Sequence, residues 1–521
     1  MRARLWNLRF LLAVASAVTL IGLGVFASSD NFLRVANPAD IETLDPALLT
    51  DAISSRVGNQ IYDHLVEFGA DGGIIPGLAE RWEFSEDGKV VTFWLRSGIT
   101  FHDGSLCDAA AVKYSLERVM DPNLASPNRQ KYVDILEEIV VVDATTVELR
   151  LKVANVAFLP LYIIASPACP VSAAAVAQWG EDFGFHPVGT GPFRFDEYRP
   201  DESVRLVRYD GFWGEPAKLA GMIFKAVPEP LTRVIELETG NVDLILEVPV
   251  EELPRLEADP AITVQADPMS TVRGLWFNHK SAILADVRVR RALAEVLNIE
   301  EIFQAFLEGF ALPADSLVPM GSWAHNDALP GYPYDPAAAK GLLAEAGWTD
   351  SNGDGVLDKD GQDLHLVLIS PAARYLMDQE ISTAAAYQWG EIGVSVDLQI
   401  LKSSTWSTQM QAGQYDIVFL GFAKDIPEPA LFLDPLVRTG GRSNFFGYSN
   451  PALDALIDAG GATFDSERRA AIYREAQQLM NEDVTFLPIY TDIGYIAKRA
   501  ELNFTWSSTR RHYLRDAFFE S

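Results

Sequence analysis

Cysteine is nearly absent: Cys107 and Cys169 are the only two in 521 residues. That excludes a disulfide framework and a cysteine-built zinc site, and leaves either one bridge or two buried free thiols. The seven histidines, His64, His102, His186, His279, His325, His365 and His512, are scattered, with no HExxH and no pair at metal-ligand spacing. No metal or cofactor held by protein imidazoles is therefore expected. A Gly-x-Ser-x-Gly elbow is missing too, which removes the most recognisable hydrolase signature. Gly189-Thr190-Gly191-Pro192-Phe193 lacks the Gly-Lys-Ser/Thr of a phosphate loop and the third glycine of a dinucleotide turn, so it reads as a tight turn into a strand. Positive charge is short: 42 Lys and Arg face 72 Asp and Glu, a net charge of −30, and such a field repels nucleic acid and anionic lipid. There is no Gly/Ser-rich or Pro-rich linker and no repeat at a solenoid period.

What is present begins with Arg2, Arg4 and Arg9, an apolar run from Phe10 to Phe26, and Ala27-Ser28-Ser29-Asp30. Basic flank, hydrophobic stretch and small-residue boundary together read as a secretory signal cleaved after Ala27, with a single anchoring helix as the other reading. No Cys lies at the boundary for a lipid anchor, and no later run is apolar and long enough to span a bilayer. The rest is long enough for more than one core, since single cores stop growing near roughly 250–300 residues. Strand patterns (Val90 to Arg96, Val147 to Lys152) alternate with helical ones throughout. Asp286 precedes a stripe of Val289, Ala292, Leu293, Val296 and Leu297. Asp335-Pro336 opens, and Gly347 closes, a helix burying Ala339, Leu342, Leu343 and Ala346. A helix capped near Asp465 is expected to bury Ile472, Ala476, Leu479 and Met480. With no loose linker, two α/β lobes should be joined by ordered strands, for which Thr271–Asn278 and Val484–Tyr490 are candidates, an arrangement that permits hinge closure around a ligand.

Asp350, Asn352, Asp354 and Gly355 form the first half of a calcium-binding loop, but its twelfth position is Gly361 rather than a closing glutamate. A solvated turn is the better reading.

A series of blocks then appears in a recognisable order: Leu44-Asp45-Pro46, "IYDHLVEF" at Ile61–Phe68, "PGLAERWEFSEDGKVVTFWLRSGITFHDG" at Pro76–Gly104, "AAAVKYSLERVMDP" at Ala109–Pro122, and "PVGTGPFRFDEYRPDESVRLVRYDGFWG" at Pro187–Gly214. "GLWFN" at Gly274–Asn278, "DVRVRRAL" at Asp286–Leu293, "YDPAAAKGLLAEAGW" at Tyr334–Trp348, "SNPALDALI" at Ser449–Ile457 and "FLPIY" at Phe486–Tyr490 follow. In this the chain resembles the family-5 bacterial extracellular solute-binding proteins, the dipeptide, oligopeptide and nickel receptors of ABC importers.

The resemblance implies an α/β, two-lobed periplasmic binding protein fold (class II-like, cluster C) with mixed sheets, hinge strands and an inserted small subdomain. Carried onto this chain, residues 1–27 are the signal peptide, 30–76 and 185–271 two pieces of lobe I, 77–184 the inserted subdomain, 272–489 lobe II and 490–521 a return to lobe I. It implies a monomeric periplasmic receptor, not an enzyme, that binds a small peptide or similar amine-bearing solute between its lobes and delivers it to ABC permease subunits, with no nucleic acid partner. Oligosaccharides, opines and nickel chelates are alternatives within the family; an exported hydrolase, a chaperone and a sensory receptor are alternatives outside it. In peptide-binding members an acid in a Gly-aromatic-x-x-Asp segment pairs with the peptide ammonium, and Gly421-Phe422-Ala423-Lys424-Asp425 matches. Asp425 is accordingly expected to take the ammonium, or else to cap the turn before Pro427. Arg374 is expected to take a carboxylate, or else to be a surface arginine. Phe422 and Trp406 are expected to wall the pocket or to belong to the core.

Overall fold

The computed structural model describes residues 31–69, 73–164, 166–424, 426–504 and 514–520. Strand β1 (Phe32–Asn37) lies parallel to two later strands, and helix α1 (Ala52–Ile61) starts where the Asp51 carboxylate accepts the Ser54 amide. The chain then builds a separate antiparallel sheet from β2 (Ala79–Phe84), β3 (Val90–Leu95), β4 (Leu136–Asp143) and β5 (Thr146–Leu151), in the order β2-β3-β5-β4. Alternation in β3 sends Val91, Phe93 and Leu95 inward. They meet α2 (Ala109–Met120), which is capped by Asp108 and buries Val112, Leu116 and Val119 on one face.

Next come β6 (Phe193–Arg199), β7 (Ser203–Arg208), β8 (Gly221–Ala226), β9 (Leu244–Leu246), β10 (Ile262–Pro268) and β11 (Thr271–Phe277). The remainder mixes α3 (Val287–Glu295), β12 (Ala311–Pro313), α4 (Pro336–Glu345), β13 (His365–Pro371), α5 (Asp378–Gly390), β14 (Ser395–Leu401), α6 (Ser403–Gln411) and β15 (Ile417–Ala423). Helices α7 (Pro429–Val437), α8 (Pro451–Ala462) and α9 (Ser466–Glu482) lead into the long strand β16 (Phe486–Arg499).

The main sheet runs β14-β13-β15-β11-β16-β9-β1-β8-β7-β6, with β10 and β12 also paired to β16. Strand β16 therefore serves two groups of strands. Its first residues pair with β11, Trp276 opposite Phe486 and Arg273 opposite Tyr490; its last pair with β10 and β9, from Ile493 to Arg499. Strands β10 and β11 are separated by only Met269 and Ser270, so the chain passes twice, side by side, between the two halves of the fold.

Separate apolar cores fill the pieces. The expected stripes of α3 and α4 pack inward, Val289, Leu293, Ala339 and Leu343 being fully buried. Helix α9 is rotated relative to the expectation: Tyr473, Ala476, Gln477 and Met480 are buried, while Ile472 and Leu479 are only partly so. The cause is polar. Arg469 forms a buried ion pair with Glu428 at 2.7 Å, and Gln477 bonds Ser316 and the Ala324 carbonyl, so satisfied polar groups occupy positions that hydrophobic patterning assigned to solvent. Cys107 and Cys169 are buried free thiols in two different cores. In the loop from Asp350 the carboxylates accept turn amides, Asp350 from Gly353 and Gly355 and Asp354 from Val356. Gly189–Phe193 is a turn into β6, its Gly191 amide bonded to the Ile61 carbonyl.

Candidate functional site

Between β13 and α5 the chain makes a tight connection in which Ala373 and Met377 take positive φ angles of 55° and 52°. The buried Asp378 carboxylate organises this turn by accepting the amides of Arg374 and Tyr375 at 2.8 and 2.9 Å. The Arg374 guanidinium lies 5.5 Å from the ring centroid of Tyr375 and 5.5 Å from that of Trp406, and its Nε donates to the Tyr375 hydroxyl at 3.2 Å. Among the described residues no carboxylate pairs with it, and the residue is exposed. An arginine held on aromatic faces keeps its charge and its planar fork available to a third partner.

Tyr375 is itself fixed. Arg273, on β11, lies 4.7 Å from its ring, and the Tyr375 hydroxyl reaches the Gly421 carbonyl on β15. Arg273 donates through Nε and Nη2 to Asp492 on β16, at 2.9 and 2.6 Å. The neighbouring Tyr490 hydroxyl donates to the Leu376 carbonyl at 2.8 Å, and Thr491 and Asp492 bond Thr271. Burial pushes the Tyr490 phenol far above its usual range, with the Asp492 charge adding to the effect, so this hydroxyl stays a donor. A continuous array thus runs from the strand shared by both halves of the fold, through Arg273 and Tyr375, to Arg374.

Of the residues singled out in the sequence, Arg374 and Trp406 come together. Trp406 is a core residue, 3% exposed on α6, whose indole Nε1 has no hydrogen-bond partner among the described residues, and its ring meets both Arg374 at 5.5 Å and, edge-on, Tyr375 at 6.4 Å. Phe422 is half-buried and meets Trp276 edge-on at 5.4 Å, Trp276 being stacked between Phe446 and Phe486 at 4.2 Å each. Asp425 lies outside the described residues. Sequence reasoning passed over Tyr375, Arg273 and Asp492. Arg273 carried a usable signal, since a charged residue inside the apolar strand "TVRGLWF" needs a buried partner.

No helix among the described residues is long and apolar enough to cross a membrane, and no group of three or more His, Cys, Asp or Glu among them is placed to hold a metal ion.

The model of the bacterial extracellular solute-binding proteins, family 5, matches residues 73–444. Heme-binding protein A of Haemophilus influenzae is 29% identical, over 86% of this chain and 85% of its own. The glutathione-binding protein GsiB of Pectobacterium atrosepticum is 28% identical over 93% of both. Among solved structures, HbpA2 of Haemophilus parasuis superposes with a TM-score of 0.86 at 24% identity, covering 94% of this chain and 100% of that one. The architecture is therefore the two-lobed fold of that structure.

Proposed function

The chain belongs to the bacterial extracellular solute-binding proteins of family 5, and from that premise we propose that it captures a di- or oligopeptide, or a similar solute carrying both an amine and a carboxylate, in the cleft between its lobes. The observation that carries this reading is Arg374, an exposed guanidinium seated on Tyr375 and Trp406 with no acidic partner among the described residues. A carboxylate arriving there meets a planar donor already oriented, and a charge-assisted pair formed as the cleft closes is shielded from water. Asp425 is assigned the ammonium, on the Gly421-Phe422-Ala423-Lys424-Asp425 match. The glutathione-binding relative supports the ligand class, glutathione being a tripeptide with one free amine and two carboxylates.

Within the same proposal, residues 1–27 are removed on export, and 30–76, 185–271 and 490–521 make lobe I, with 77–184 inserted. Residues 272–489 make lobe II. The mature monomer works outside the cytoplasmic membrane, performs no covalent chemistry, and hands its ligand to ABC permease subunits. Ligand binding favours closure to the extent that the closed form binds better than the open one.

Calorimetric titration with glutathione and with a panel of dipeptides tests the reading. Arg374→Ala should weaken binding of a free-acid peptide by about 10- to 100-fold, the range of a charged hydrogen-bonded partner lost from a partly desolvated site, and should make little difference to the C-terminally amidated peptide. Asp425→Asn should act in the same way on free against N-acetylated peptide. Equal affinity of the wild type for the free and blocked forms would remove these roles and turn the ligand towards sugars or metal chelates.

A further inference from the structure

The two halves of the fold also touch far from their shared strands. Phe464, just beyond the end of α8, packs on Phe84 at the end of β2, ring centroids 4.8 Å apart. It also covers the turn that follows. Gly88, with a φ of 66°, could not carry a Cβ there without coming within 2.9 Å of two Phe464 ring carbons. A few residues away the Val156 amide donates to the Gly461 carbonyl at 2.9 Å. Ile426, which follows β15, is buried in the core beneath the β2–β5 sheet, and Leu431 of α7 packs against that core. Four separate contacts therefore join the 77–184 insertion to the 426–464 region, and none belongs to β10, β11 or β16. Yet Phe464 remains 43% exposed and Val153, near the same turn, 58%. Such a partly wet aromatic contact adds little to the stability of either half. Its consequence is for their relative position.

We propose that Phe464, seated on Gly88 and Phe84 and backed by the Val156–Gly461 hydrogen bond, is a latch that holds the insertion against lobe II and sets the balance between closed and open forms. The inference rests on hinge movement between the lobes and not on what the cleft holds. Strands β10, β11 and β16 continue across the junction and stay connected in any hinge rotation, whereas the Phe464 contact has no covalent connection nearby and must break when the lobes part. An aromatic pair of this kind shifts an equilibrium by roughly two- to tenfold. Glycine at 88 is required both by its positive φ and by the ring above it, so the seat is specific to this pairing.

The test needs no ligand. Cysteines introduced by Glu86→Cys and Glu467→Cys, both at exposed positions flanking the contact, accept spin labels while the two native thiols stay buried. Pulsed distance measurement on the unliganded protein should show a short-distance population. Phe464→Ala and Phe84→Ala should each reduce its ratio to the long one by about two- to tenfold, and the double variant should reduce it no further than either alone. Melting temperature should change little, because the ring is half exposed. An unchanged distance distribution in Phe464→Ala, or a wild type with no short component, overturns the latch. Because no peptide is present, that result would leave the choice of ligand untouched.

Discussion

Gly421→Ala offers a sharp test of how the site is supported. A Cβ at this position would lie 2.0 Å from Cδ, 2.4 Å from Nη1 and 2.8 Å from Nε of Arg273. The nearest atom is in the middle of the side chain, so Arg273 cannot yield by bending its tip and must leave its position. It then loses both bonds to Asp492 and its place beside Tyr375. The arginine side chain is 13% exposed and the aspartate 23%, so water replaces the lost bonds only in part. Charged hydrogen bonds of this kind are worth about 1.5–3 kcal/mol and the cation–aromatic contact about 0.5–1 kcal/mol. The substitution should cost about 2–3 kcal/mol, lowering the melting temperature of a folding unit of about 200 residues by roughly 4–10 °C. Arg273→Ala should cost a similar amount. The decisive measurement is the double variant: once Arg273 is gone the three closest clashes go with it, and alanine in place of a strand glycine should be neutral or stabilising by about 0.5 kcal/mol. Scanning calorimetry of the four proteins closes the cycle. Additive losses in the double variant would refute the claim that Gly421 is glycine in order to seat Arg273.

Two further outcomes are expected. Burial holds His102 and His279 down at about 4, each ring donating Nε2–H to a carbonyl, of Gly191 and of Thr485. The unfolded chain binds these protons near pH 6.5 and the folded one only near 4, so stability should fall as pH drops through that window, by on the order of 3 kcal/mol per group; melting curves of His279→Gln should show a shallower loss between pH 6.5 and 4, and an unchanged slope would exclude this histidine as a source. Arg469→Met leaves the buried Glu428 carboxylate without its ion-pair partner. It should destabilise by about 3–5 kcal/mol, whereas adding Glu428→Leu should recover much of the loss in a denaturant titration.

The order of elements was legible where one physical rule acted alone. Asp286 and Asp335 cap as their positions suggest, and the apolar stripes of α3 and α4 face the core. Length and the missing linker pointed to two lobes, and family resemblance named the two-lobed fold, which periodicity alone could not. Helix α9 was misread because hydrophobic patterning cannot anticipate that Arg469 and Gln477 are buried with partners contributed from Glu428, Ser316 and Ala324. The same holds at the site. Arg374 was visible as a candidate, but what makes it available, Tyr375 against it and Arg273 neutralised by Asp492 behind, depends on residues about 100 to 220 positions apart brought together by β11, β15 and β16. Trp406, expected either to wall a pocket or to belong to the core, is a core residue whose ring contacts the arginine.

The long strand near the carboxyl end also dictates when the molecule can become itself. Strand β16 lies in the middle of the main sheet, between β11 and β9, although it is made from residues 486–499 of 521. Until those residues are available, β9 and β11 each present an open edge and neither half has a complete sheet. The pairings of β16 with β9, β10 and β11 each span more than two hundred residues of sequence, the kind of topology that folds slowly. A nascent chain that has not yet reached Phe486 is therefore held short of the native state by topology. Ending the protein before Phe486 should leave both halves unfinished rather than produce one folded lobe.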